Sequence, residues 1–252
     1  MKVRRAILTL ATVFTLCSCG HGDEITVLEA EAIIAEGKSK IQIPQVFSYH
    51  TGDESLSQLT GNYTAHGSYQ RVSVDQINKQ IYVQSTTTGR TQRIWYFKEK
   101  GSYYQAKDGS GKTTISAGTF NERADYYAGQ LRTEISNLWI NTKAIITSPD
   151  PYGLQASQGE LELRSKGNGH LYLRYYCSAP DKINDREVIR SASSQIEFEG
   201  WLPLVVRISL EVSWQRTTDY ERTSMNFQWN KSSYPGNPKE GKDYSSYPFP
   251  IY

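Results

Sequence analysis

VRISLEVSW, residues Val206–Trp214, alternates apolar and polar side chains from end to end. In an extended chain successive side chains point to opposite faces, so Val206, Ile208, Leu210, Val212 and Trp214 share one face and Arg207, Ser209, Glu211 and Ser213 the other. This is the pattern of an antiparallel strand with one face buried and one wet. Ile196 and Phe198 precede it across a turn at residues 200–203, and a return strand with Met225, Phe227 and Trp229 follows. Upstream, Leu161 and Leu163, a KGNG turn at 166–169, then Leu171, Leu173 and Tyr175 repeat the period, and residues 181–185 read as a polar loop.

The same period governs Val46 to Gly118: Val72 and Val74, Ile81 and Val83, Ile94 to Phe97, Tyr103 and Tyr104, Thr113 to Ser116. The breaks at Asn78-Lys79, Thr88-Gly89, residues 99–101 and residues 108–111 carry turn chemistry at hairpin spacing. Two segments depart from it. Thr26 with Glu29 forms a capping box opening a helix whose expected stop is Gly37, with Ile25, Leu28, Ala32 and Ala35 on one face. Thr119 with Glu122 is a second candidate box, and Ala124, Tyr127, Leu131, Ile135, Leu138, Thr142 and Ile145 trace a stripe of period 3.6 up to Ser148-Pro149, widened by Trp139 and Ile146. Helices among antiparallel strands define an α+β fold. The expected architecture is one large curved antiparallel sheet, half-barrel-like because flat sheets of that size curl or split, covered on one face by two amphipathic helices. The core is lean, since apolar residues including tyrosine make up 38% of the chain; the 18 tyrosines supply much of the buried ring area.

At the N-terminus, Lys2, Arg4 and Arg5 precede an apolar run from Ala6 to Leu16, too short to span a membrane and of the length of a secretory signal. Leu16-Cys17-Ser18-Cys19 resembles the bacterial lipobox, with Cys19 the residue to be lipidated. The chain is thereby expected to divide into a signal peptide (1–18), a lipidated tether (19–24), a single α+β domain (25–231) and an irregular tail (232–252) that lies over the body or in solvent and adds little stability. Removal of the signal leaves the chain nearly neutral, which excludes nucleic acid as an expected partner and makes the anchor covalent rather than electrostatic. The localisation implied is the bacterial cell envelope, on the extracytoplasmic side of a membrane. Cys177, alone in the mature body and in phase with Leu171, Leu173 and Tyr175, reads as a buried core residue.

No residue set calls for catalysis, a cofactor or a metal. AKDGSGKT (Ala106–Thr113) departs from a phosphate loop because alanine stands at its first glycine and strands flank it. His21, His50, His66 and His170 lack metal-ligand spacing, and Asp181 with Asp185, and Asp219 with Glu221, read as solvated turn residues. Asn62-Tyr63-Thr64 and Asn230-Lys231-Ser232 match the glycosylation acceptor but read as strand and turn residues.

The element order over about residues 24–230, together with the lipobox, is similar to that of the LolA/LolB and LppX-type lipoprotein carriers. The resemblance implies a half-barrel lidded by helices over a lipid-holding cavity; it transfers no binding residue. Three readings follow. A carrier or sensor of an apolar ligand needs a concave apolar wall, for which Leu131, Ile135, Leu138 and Trp139 of the helix and Ile208, Leu210, Val212 and Trp214 of the sheet are the candidates. An envelope interaction module would instead present exposed aromatics, with Trp95, Tyr96 and the tyrosine-rich tail as candidates. The third reading is an extracytoplasmic enzyme whose site has no motif.

Overall fold

The computed structural model describes residues 20–59, 64–87, 90–155, 159–183, 185–215 and 217–238; the signal segment, Cys19, Asn62 and residues 239–252 lie outside them. The strands are β1 (Asp23–Glu24), β2 (Val46–Ser57), β3 (Thr64–Asp75), β4 (Gln80–Thr87), β5 (Arg90–Glu99), β6 (Ser102–Lys107), β7 (Thr113–Ile115), β8 (Glu160–Ser165), β9 (Leu171–Ile183), β10 (Arg186–Glu199), β11 (Leu202–Trp214) and β12 (Thr217–Trp229). The helices are α1 (Val27–Lys40) and α2 (Ala117–Thr147). All strands belong to one antiparallel, open, curved sheet in the order β1-β8-β9-β10-β11-β12-β2-β3-β4-β5-β6-β7. Two meanders are thus fused where β12 pairs with β2, Phe227 opposite Tyr49 and Met225 opposite Thr51. The outermost strands are only two and three residues long, which leaves little edge for another chain to pair with.

Both helices lie on the inner face. The stripe expected of α2 is buried, but α1 buries Ala30, Ile34 and Gly37 rather than the expected row, of which Leu28, Ala32 and Ala35 are exposed. Thr26 and Glu29 form the expected capping box of α1. The helix does not stop at Gly37 but runs through it to Lys40, and the glycine serves packing instead: a Cβ there would come within 2.7 Å of the Trp139 ring. Helix α2 is capped by Ser116, whose hydroxyl accepts from the Thr119 N–H at 2.9 Å, so its start precedes the expected Thr119–Glu122 box. Its buried stripe runs across the sheet from β6 to β10, from Phe120 against Tyr103 of β6 (5.5 Å between ring centroids) to Trp139 stacked on Phe198 of β10 at 3.7 Å. The expected polar loop at 181–185 is a tight hairpin, with β9 running to Ile183 and β10 starting at Arg186.

The outer face of β2–β6 is also buried. Tyr82, Trp95, Phe97 and Ala106 form a second cluster, joined by buried Ser73, Gln84 and Arg93. Trp95 faces out into this cluster and Tyr96 faces the inner core, so neither is the exposed aromatic that the sequence suggested. The segment after β12 helps cover the outer face. Ser233 N–H donates to Ser73 Oγ at 3.0 Å, Arg71 Nη2 donates to the Ser233 carbonyl at 3.0 Å, and Tyr234 packs against the second cluster. Residues 232–234 are thus tied to the body through buried Ser73 and half-buried Arg71, contacts that run against the expectation of a tail adding little stability. At the other end, residues 20–24 are no loose tether. Arg164 Nη1 donates to the Gly22 carbonyl, Asp23 and Glu24 pair with Ser165 and Arg164, and the Ile25 N–H donates to the Leu163 carbonyl at 3.0 Å.

Truncation after Lys231 should lower the unfolding free energy by about 2–5 kcal/mol, since each buried polar group left unpaired costs about 1–3 kcal/mol. Gly37→Ala should destabilise by about 1–3 kcal/mol through overpacking on Trp139, although alanine is the better helix former. Denaturant midpoints at constant m-value would check both.

Candidate functional site

Strand register fixes which side chains share the inner face. Along β11 and β12 the cross-strand pairs on that face are Val206 with Met225, Ile208 with Thr223, Leu210 with Glu221, Val212 with Asp219 and Trp214 with Thr217. The apolar strip of β11 is therefore flanked by polar residues on β12. This is why Ile208 and Leu210 are only half-buried at the margin of the core, and why Val212 and Trp214 lie beyond it.

Where α2 passes over β12, β2 and β3 it leaves a groove of about 460 Å3. Its floor is apolar: Leu131 from the helix, Met225 and Phe227 from β12 and the ring of Tyr49 from β2. Its rim is polar, with Asp53 and Thr51 of β2, Gln70 of β3, and Gln130, Thr133 and Glu134 of α2. A second, more open cleft of about 690 Å3 lies at the far tips of β9, β10 and β11, lined by Trp214, Val188 and Ile189 among charged residues. There the Arg186 guanidinium stands 4.5 Å from the Trp214 ring centroid.

The eight residues that the sequence nominated for an apolar wall are thus dispersed. Leu131 lines the groove; Ile135, Leu138 and Trp139 are packed into the solid core behind it. Ile208 and Leu210 continue the inner face beyond the groove, Val212 follows them, and Trp214 belongs to the distal cleft. Sequence reading missed Tyr49, Met225, Phe227, Asp53, Gln70 and Glu134. The parity of β2 and β12 carries the first three, but their meeting depends on a pairing between distant segments that no local pattern encodes.

The groove's charge is of one sign. Asp53 accepts a hydrogen bond from Thr223 Oγ1 at 2.7 Å, Glu134 stands on the exposed side of α2, and no lysine or arginine is among the lining residues. Burial pushes the Tyr49 phenol up, and Tyr127, Glu134 and Tyr126 push it further. Burial likewise raises Tyr127 to about 12, with Tyr96 adding to the effect and Arg123 opposing it. Elsewhere carboxylates are structural. Asp219 accepts from the Gln58 N–H at 2.6 Å and the Leu59 N–H at 3.0 Å, and Asp150 from the Leu154 and Gln155 N–H groups. Glu197 Oε1 lies 3.3 Å from His21 Nδ1 and 3.5 Å from His170 Nε2, and the His21 ring stacks on Tyr172 at 4.0 Å, which holds the N-terminal residues to the body. Among the described residues no group of three or more His, Cys, Asp or Glu is placed to hold a metal ion. Cys177 is buried in the core beside Ala192.

No family model matches the chain, and no curated protein matches it. Solved structures that it resembles include a LolA superfamily protein from Nitrosomonas europaea, at 9% identity over 79% of this chain and 91% of that one, with a TM-score of 0.20. Another is a DUF1329 family protein from Desulfovibrio piger, at 11% identity over 81% of this chain and 93% of that one, with a TM-score of 0.21. Neither likeness identifies a residue of this chain.

Two measurements follow from the groove wall and the core. Because the fold favours neutral Tyr49 and Tyr127, their contribution to stability is complete below the unfolded phenol value of about 10 and is lost as pH rises through the folded values. Tyrosinate absorbance should show a fraction of phenols lagging to about pH 12, with stability falling across that window. Cys177 should react with a thiol reagent slowly in the native protein and rapidly once unfolded.

Proposed function

We propose that the protein is an extracytoplasmic lipoprotein, anchored through Cys19 in a membrane of the bacterial envelope, that holds a lipid-like ligand between α2 and the inner face of the sheet. The observation that carries this reading is the groove at Leu131. Its apolar floor is left uncovered by a straight helix crossing a curved sheet, and the β11 strip of Ile208 and Leu210 extends that floor along the open wall. Its volume lies within the roughly 300–1,000 Å3 of small-molecule sites. No described helix is long and apolar enough to cross a membrane, so membrane attachment in this reading rests on the lipobox. The docking of His21 to Glu197 and Tyr172 would then hold the body close to the bilayer, with only Gly20 between the lipidated residue and the folded chain.

A second reading, an envelope protein-interaction module, is favoured by half-exposed Ile189 at the distal cleft, where Trp214 also stands, and by half-exposed Tyr176 further along β9. The two readings diverge on one pair of substitutions. Native mass spectrometry of the Cys19→Ala protein should show adducts of lipid mass that Leu131→Trp removes by filling the groove, with the fold intact. Ile135→Trp should instead cost about 1–3 kcal/mol of stability, because Ile135 is fully buried and, unlike Leu131, does not line the groove. Absence of adducts, with Leu131→Trp as destabilising as Ile135→Trp, would mean a filled core and favour the interaction module. Cys19→Ala should also move the protein from the detergent to the aqueous phase in phase partitioning; retention in detergent would reject the anchor.

A further inference from the structure

We infer that the ligand of the α2 groove is an amphiphile whose head group donates hydrogen bonds and carries no negative charge, an amine or a hydroxyl rather than a phosphate or carboxylate. This rests on the groove being a ligand site and specifies what that site accepts. The floor of Leu131, Met225 and Phe227 takes the alkyl chain, and at the rim the formal charges are the carboxylates of Asp53 and Glu134, beside amides and hydroxyls that both donate and accept. Asp53 and Glu134 flank the mouth from β2 and α2, and the Gln70 and Gln130 amides and Thr51 hydroxyl complete it. Beyond the mouth the acidic character persists, because Glu221 sits on the same face, directly opposite Leu210 and Ser55.

The arginines of these strands offer no counter-charge. Arg71 lies on the outer face bonded to Ser233, and Arg222 lies on the outer face paired with Glu211. Arg190 and Arg186 share the inner face but stand near the far tip, Arg190 paired with Asp181 and Arg186 over the Trp214 ring. An anionic head lodged at this rim would meet two carboxylates with no cation among the lining residues to offset them, whereas an ammonium or hydroxyl donates to the carboxylates already in place. The amides alone accommodate either head, so discrimination falls to the two carboxylates. Both are solvent-exposed, and the selectivity they impose is correspondingly modest and sensitive to salt.

Isothermal titration of the full-length protein with dodecylamine, 1-dodecanol and dodecanoic acid at pH 7, below their aggregation concentrations, tests the assignment. The amine and the alcohol should bind more tightly than the acid, the amine by about 5- to 10-fold at low salt. The double variant Asp53→Asn, Glu134→Gln should bring the amine-to-acid ratio close to one, and Leu131→Trp should abolish binding of all three. If the acid binds as tightly as the amine, the head-group assignment is overturned while the groove survives as the ligand site. If none of the three binds, the groove reading falls and the assignment with it. If the amine is preferred but Leu131→Trp leaves its binding unchanged, its attraction is to surface charge elsewhere, and the assignment is equally overturned. Retention of the preference in the double variant would reject Asp53 and Glu134 as its source.

Discussion

The stacking of Trp139 on Phe198 at 3.7 Å is the contact on which the arrangement of the inner face depends. The indole is fully buried, with the sheet beneath it and the notch at Gly37 of α1 against its edge, so three elements meet on one ring. Its Nε1–H finds no acceptor in that apolar setting, a cost of about 1–3 kcal/mol that the burial of so large a ring offsets. Fixing α2 at this point fixes everything along it. At 1.5 Å per residue Leu131 lies about 12 Å back along the axis, over the junction of β12 and β2, where the sheet has curved away from a straight helix. The groove is therefore the geometric remainder of a well-made contact further along the same helix.

Much of this architecture is legible in the chain. Period two names the strands, period 3.6 names α2 with its stripe from Ala124 to Ile146, and the Thr26–Glu29 box marks the start of α1. What local pattern does not reveal is depth and neighbourhood. The clean alternation of β11 suggests a wall buried along its whole length, yet its cross-strand partners Thr223, Glu221, Asp219 and Thr217 leave that wall half-wet. Gly37 carries the chemistry of a helix stop but is spent on a helix crossing, because the demand for it comes from Trp139, about a hundred residues away in the chain. Ser232 to Tyr234 lack any period and still cover the outer face, since their hydrogen bonds go to single side chains rather than to a ladder. The groove's lining was hidden for the same reason: Tyr49 and Phe227 face each other only once β2 and β12 have paired.

The two faces of the sheet also answer different physical demands. The inner face beneath the helices is a conventional apolar core. The outer face of β2–β6 buries rings beside polar groups, with the Tyr82 hydroxyl donating to Gln84 at 2.6 Å and Arg93 paired to Asp108 at 3.1 Å. Such a surface is stable only while each polar group keeps its partner, so it is less tolerant of apolar replacement than the core proper.

The pairing of β12 with β2 has a temporal consequence. Among the described residues, the strand that unites the two meanders is the last regular element, while its partner is the second strand. A polypeptide emerging N-terminus first can assemble β2 through β7 by local hairpins, but the long β2 edge then waits, unpaired, for about a hundred further residues to arrive. An unpaired edge of that length is a template for mispairing with other chains, and the interval is set by the rate at which the remainder is delivered. Productive folding of this molecule is accordingly governed by delivery of its C-terminal third, and a chaperone that shields one strand edge would protect it best.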